Sequence, residues 1–127
     1  MDGAIRVLCV DDNADAAASL ALLLSLGGFD VRCCFHGTDA VVEAATFRPH
    51  ACVLDLNMPV MDGFELAARL REMLGPSVYL VAVSAAAGED VKDRVVAAGF
   101  DRWFVKPADP ERLLRTIAAG PAPVAAT

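Results

Sequence analysis

A chain of 127 residues can bury one sizeable core but not two, so a single domain is expected. Its 17 acidic residues against 11 basic ones give a net charge of -6, and no Lys/Arg run could track a phosphate backbone, which disfavours direct nucleic-acid binding. The longest apolar stretches are too short and too Ala-rich to cross a bilayer, and the run Val7 to Val10 stops too soon, at Asp11, to serve as a secretory segment. A cytoplasmic protein is expected.

Short β-branched runs alternate with longer Ala/Leu-rich segments of helical period, the pattern of repeated βαβ units. The first strand is Ile5 to Val10. Asn13 can cap a helix whose apolar positions Ala16, Leu20, Leu23 and Leu24 face the sheet until Gly27-Gly28 ends it. A second strand, Asp30 to Phe35, leads through Gly37 and a Thr38 cap into a helix burying Ala40, Val41, Ala44 and Ala45, with Pro49 beyond its end. The third strand, Ala51 to Leu54, is continuously apolar, as a parallel strand buried on both faces must be, and stops at Asp55.

Leu66, Leu70 and Met73 mark a third helix, Val78 to Val83 a fourth strand, and Val91, Val95 and Ala98 a fourth helix closed by Gly99. After the fifth strand, Arg102 to Val105, comes Lys106-Pro107. Asp109 then caps a helix with Pro110 at its first position and Leu113, Leu114 and Ile117 inward. The expected architecture is one α/β three-layer sandwich over residues 1–119, with 120–127 as a Pro/Ala linker or tail. The four cysteines, Cys9, Cys33, Cys34 and Cys52, lie in apolar strand-like runs without metal-ligand spacing and are read as reduced, buried small hydrophobes.

Right-handed crossovers put every strand's carboxyl end on one sheet edge, where such folds hold their ligands. Asp11 and Asp12, Asp55, Ser84 and Lys106 all follow strands and should converge there. A strand-terminal Asp by itself is usually a cap or turn residue, but carboxylates gathered by apolar strands repel one another unless a cation offsets them. Oxygen-only ligands suit magnesium, whereas zinc or copper would want His or Cys, and neither His36 nor His50 ends a strand. Asp55 is then a candidate phosphoryl acceptor, with Lys106 and Ser84 offsetting charge on the transferred oxygens.

Val10-Asp11-Asp12-Asn13, Leu54-Asp55-Leu56-Asn57-Met58-Pro59, Asp62-Gly63, Ser84-Ala85 and Lys106-Pro107 together resemble the receiver domain of bacterial two-component response regulators, also found in hybrid histidine kinases. The resemblance spans nearly the whole chain. It implies a flavodoxin-like (βα)5 fold with a parallel sheet of order 2-1-3-4-5. It implies that Asp55 takes a phosphoryl group from phosphohistidine on a histidine kinase or histidine phosphotransfer protein. It further implies Mg2+ on Asp12, Asp55 and the Asn57 main-chain carbonyl, with Asp11 acting through water, and a cis bond between Lys106 and Pro107.

The resemblance also implies a switch that is not itself an enzyme acting on other substrates. Charge added at Asp55 pulls the Ser84 hydroxyl inward, and Trp103, three residues before Lys106, turns in as that loop vacates space. Phe104, on the opposite side of the strand, should be core. The output face would be the fourth helix, fifth strand and fifth helix, where Glu89, Asp90, Lys92, Asp93 and Arg94 could select a downstream protein or simply be solvated. Two departures from the commonest family pattern are Ser84, where Thr is frequent, and Trp103, where Tyr or Phe is usual. Two alternatives remain: an aspartyl-phosphate phosphohydrolase of haloacid dehalogenase type, against which Asn57 stands in place of the needed acid, and a pseudo-receiver that binds without being phosphorylated.

Overall fold

The computed structural model describes residues 4–120. Five strands and five helices alternate: β1 (Arg6–Val10), α1 (Ala14–Leu26), β2 (Asp30–Cys34), α2 (Gly37–Phe47), β3 (Ala51–Asp55), α3 (Gly63–Leu74), β4 (Tyr79–Ser84), α4 (Glu89–Ala97), β5 (Arg102–Val105) and α5 (Pro110–Ala119). The strands form one parallel sheet in the order β2-β1-β3-β4-β5. The expected flavodoxin-like (βα)5 sandwich is therefore observed.

Successive strand residues point to opposite faces, so each central strand feeds two cores. Leu8, Cys52, Leu54, Leu80 and Ala82 meet Ala40, Ala44, Leu66 and Leu70 from α2 and α3. On the other face Val7, Cys9, Val53, Val81 and Val83 meet Leu24 of α1 and Leu113 and Ile117 of α5. Leu66 and Leu70 are wholly buried, so truncating either to Ala would cost about 2–5 kcal/mol.

Local signals set most helix starts. The Asn13 side chain accepts from the Ala16 N–H at 3.1 Å, Asp62 from Glu65 at 2.9 Å and Asp109 from Glu111 at 3.1 Å. Each satisfies a backbone donor that the first turn leaves free.

Several expected details differ. In α1 the fully buried alanine is Ala17, not Ala16, so the inward face runs through Ala17, Leu20 and Leu24. Thr38 does not cap α2; His36 occupies that position without a side-chain hydrogen bond. The cause is packing: a Cβ on Gly37 would stand 2.9 Å from Met61, so the first turn sits tight against the loop after β3. Ala45 is exposed and Phe47 takes the buried place. Phe104 is half-buried rather than core, with the Arg112 guanidinium 5.5 Å above its ring. Cys33 is only partly buried, while Cys9, Cys34 and Cys52 are buried. Of the expected tail, residues 121–127 lie outside the described residues; Gly120 caps α5 with its N–H on the Ile117 carbonyl.

Candidate functional site

The carboxyl edge of the sheet draws its charged side chains from three strand ends. The Asp11 N–H donates to the Cys34 carbonyl at 3.2 Å, and the Leu56 N–H to the Val83 carbonyl at 3.0 Å, so the loops after β1 and β3 leave the sheet already tied to their neighbours. Asp11 turns back on itself, its Oδ1 accepting from the Asn13 N–H at 2.9 Å. Gly63 lets the chain after β3 fold close: a Cβ there would lie 2.5 Å from the Asp55 carbonyl oxygen.

Asp11, Asp12 and Asp55 each offer a carboxylate oxygen, and these oxygens lie within 4.8 Å of one another. Lys106 Nζ stands 3.4 Å from Asp11 Oδ2 and 3.4 Å from Asp55 Oδ1. One ammonium thus serves two carboxylates, which leaves the cluster with net negative charge and room for a cation. The Lys106-Pro107 peptide bond is cis.

Asp55 is only 4% exposed. Its carboxylate nevertheless lines an open cleft of about 660 Å3 between α1 and α5, beside Asp11 and Lys106 and continuous with the apolar side chains of Leu20, Leu23 and Leu113. Burial pushes the Asp55 pKa up to about 6; the Asn57 N–H, which donates to Oδ1 at 3.2 Å, and the Lys106 charge pull it down, while the Asp11 charge pushes it up. For Lys106, burial works against the charged form, but Asp55 and Asp11 outweigh it and the pKa lies above the usual lysine value.

Ser84 reaches the same edge but not the same cluster. Its hydroxyl, 1% exposed, donates to the Ala86 carbonyl at 2.6 Å and accepts from the Trp103 indole N–H at 2.8 Å. The residues that sequence singled out therefore fall into two groups: Asp11, Asp12, Asp55 and Lys106 around one notch, and Ser84 with Trp103 beside it. Asn57 meets Asp55 through its N–H. The Ala86 carbonyl was missed, because a main-chain acceptor two residues from its donor leaves no mark in residue type.

A doubly wound parallel sandwich with three carboxylates and a lysine at its carboxyl edge defines a class of small signalling domain. The chain belongs to the response regulator receiver domain family, which residues 7–118 match. It is 42% identical over 102 residues to the transcriptional regulatory protein PrrA of Mycobacterium leprae, an alignment covering 80% of this chain and 43% of that protein. The chain thus spans less than half of that relative. Among solved structures, the chemotaxis protein CheY4 of Vibrio cholerae superposes with a TM-score of 0.87 at 28% identity, covering 93% of this chain and 99% of that one. A Burkholderia pseudomallei response regulator, solved with a phosphorylated aspartic acid, calcium ion and citrate, superposes with a TM-score of 0.81 at 26% identity, covering 96% of this chain and 69% of that one.

Proposed function

We propose that this receiver domain, spanning residues 1–119, accepts a phosphoryl group on Asp55 from a partner phosphohistidine and passes the change to a downstream protein. The observation that carries the reading is Lys106 Nζ at 3.4 Å from Asp55 within a cluster of three carboxylates. An Asp55 oxygen attacks phosphorus while the bond to the donor imidazole nitrogen breaks, leaving an acyl phosphate on the side chain. Lys106 supplies positive charge to the transferred oxygens, and the Asn57 N–H donates to Asp55 Oδ1, the same carboxylate oxygen that Lys106 approaches.

The donor set is all oxygen and net negative, which fits Mg2+ held by Asp11, Asp12, Asp55 and the Asn57 main-chain carbonyl. When bound, that ion supplies charge stabilisation to the phosphoryl oxygens. The phosphorylated aspartate and calcium ion described for the Burkholderia relative support the same pairing of acceptor and divalent cation here.

Phosphorylation adds roughly two negative charges and strong acceptor oxygens. Ser84 then exchanges its bond to the Ala86 carbonyl for one to the phosphoryl group, and Trp103 moves with it. The α4, β5 and α5 face is the proposed output surface, and the cytoplasm the proposed location; among the described residues no helix is long and apolar enough to cross a membrane.

The test is direct. The wild type and Asp55→Asn are incubated with Mg2+ and acetyl phosphate, and intact mass is measured. A phosphate-sized gain in the wild type alone supports the assignment; a gain in both, or in neither, overturns it.

A further inference from the structure

Two cysteines that sequence reading treated as inert stand side by side. Cys9 on β1 is in register with Cys33 on β2. In-register neighbours on adjacent strands are about 4.8 Å apart, inside the span of about 4.4–6.8 Å between the Cα atoms of a disulfide. Both side chains lie on the same face, in the layer with Val7, Val31 and Leu20, whereas Cys34 and Cys52 belong to the opposite layer. Exposure divides the roles: Cys9 is 1% exposed, whereas Cys33 on the edge strand is only partly buried.

We propose that Cys9 and Cys33 form a reversible redox pair, a modification site that closes into a disulfide when the protein meets peroxide. The Cys33 thiolate takes one oxygen of hydrogen peroxide: an S–O bond forms, the O–O bond breaks, and the other oxygen leaves as water after taking a proton. Cys9 sulfur then displaces the hydroxyl from Cys33; the S–S bond forms, the S–O bond breaks, and the hydroxyl leaves with the Cys9 proton as a second water. Two thiols are oxidised and one peroxide is reduced.

Register predicts that the bridge is easily reopened. A relaxed disulfide brings its Cβ atoms to about 3.8 Å, closer than neighbouring strands bring theirs, so the bond forms under strain and is readily reduced. The bridge also lies next to the acid cluster. Cys9 is followed two residues later by Asp11, whose N–H already bonds the Cys34 carbonyl at 3.2 Å, so a crosslink here fixes the two strand ends that carry it.

The experiment oxidises the full chain with hydrogen peroxide, alkylates remaining thiols under denaturing conditions, and reads intact mass and tryptic peptides. Cys33, Cys34 and Cys52 share one tryptic peptide because Arg48 precedes Pro49, so variants assign the partner. The expected result is a loss of two hydrogens in the wild type, in Cys34→Ser and in Cys52→Ala, reversed by dithiothreitol. That loss disappears in Cys33→Ser, a change at a partly exposed edge position, and in Cys9→Ala. Oxygen addition at Cys33 without a crosslink, a crosslink that survives Cys33→Ser, or no change in the wild type would each overturn the proposal.

Discussion

The Trp103 indole N–H donates to the Ser84 hydroxyl at 2.8 Å, and that hydroxyl donates onward to the Ala86 carbonyl at 2.6 Å. Both hydrogen bonds engage the one Ser84 hydroxyl, as acceptor from Trp103 and as donor to Ala86, so any new partner for that hydroxyl must compete with them. A phenylalanine at this position could not make the first of them.

Trp103→Phe keeps the aromatic packing and deletes that donor. Losing a bond of about 1 kcal/mol from the resting arrangement lowers the cost of turning Ser84 toward a phosphoryl group, so affinity for beryllofluoride in the presence of Mg2+ should rise about fivefold. Calorimetric titration checks it; weaker or unchanged affinity means the bond does not restrain the switch.

Burial raises the Asp55 pKa from an ordinary 3.8 to about 6, so the folded chain binds its proton more tightly than the unfolded chain does. Stability from this group is therefore complete below about pH 4 and is lost as pH rises through about 6. Asp55→Asn carries no such charge. In EDTA it should unfold with a stability advantage of about 2 kcal/mol at pH 7 that shrinks toward pH 4. Urea titrations at several pH values decide this, and a difference that does not change with pH contradicts it.

Lys106→Met removes the cation that Asp11 and Asp55 share. Labelling by acetyl phosphate should slow by about two orders of magnitude, the usual loss when one fixed charge-stabilising donor is removed. Because the side chain is about one-third exposed, the fold should survive, and circular dichroism of the variant is the control.

Gly63→Ala tests the close approach behind the acceptor. The new Cβ would lie 2.5 Å from the Asp55 carbonyl oxygen and 2.7 Å from the Leu56 Cα, both backbone atoms that cannot swing aside. A loss of about 2 kcal/mol or more in denaturant unfolding is expected, together with weaker Mg2+ binding, since the loop carrying Asn57 must shift.

The order of the elements was legible in the sequence because apolar period and turn residues are local properties. Asn13 and Asp109 act within three residues of themselves, and a parallel βαβ chain can only bring its strand ends to one edge. Asp11, Asp12, Asp55 and Lys106 could thus be expected together from their places in the chain. The α2 boundary was not legible: Thr38 is the better cap by type, but Gly37 packed on Met61 starts the helix two residues earlier, and no local rule contains Met61.

What remained for the tertiary structure were relations between side chains far apart in sequence. Residue types alone made Ser84 a hydroxyl near a phosphoryl site; only the rotamers on β4 and β5 turned it toward Ala86 and Trp103. Cys9 and Cys33 read as isolated small hydrophobes until the β1–β2 register set them side by side. A register shift of one residue would have sent them to opposite faces. The sequence by itself determined which groups arrive at the sheet edge, through periodicity and chain direction; pairing register and packing decided which of them touch.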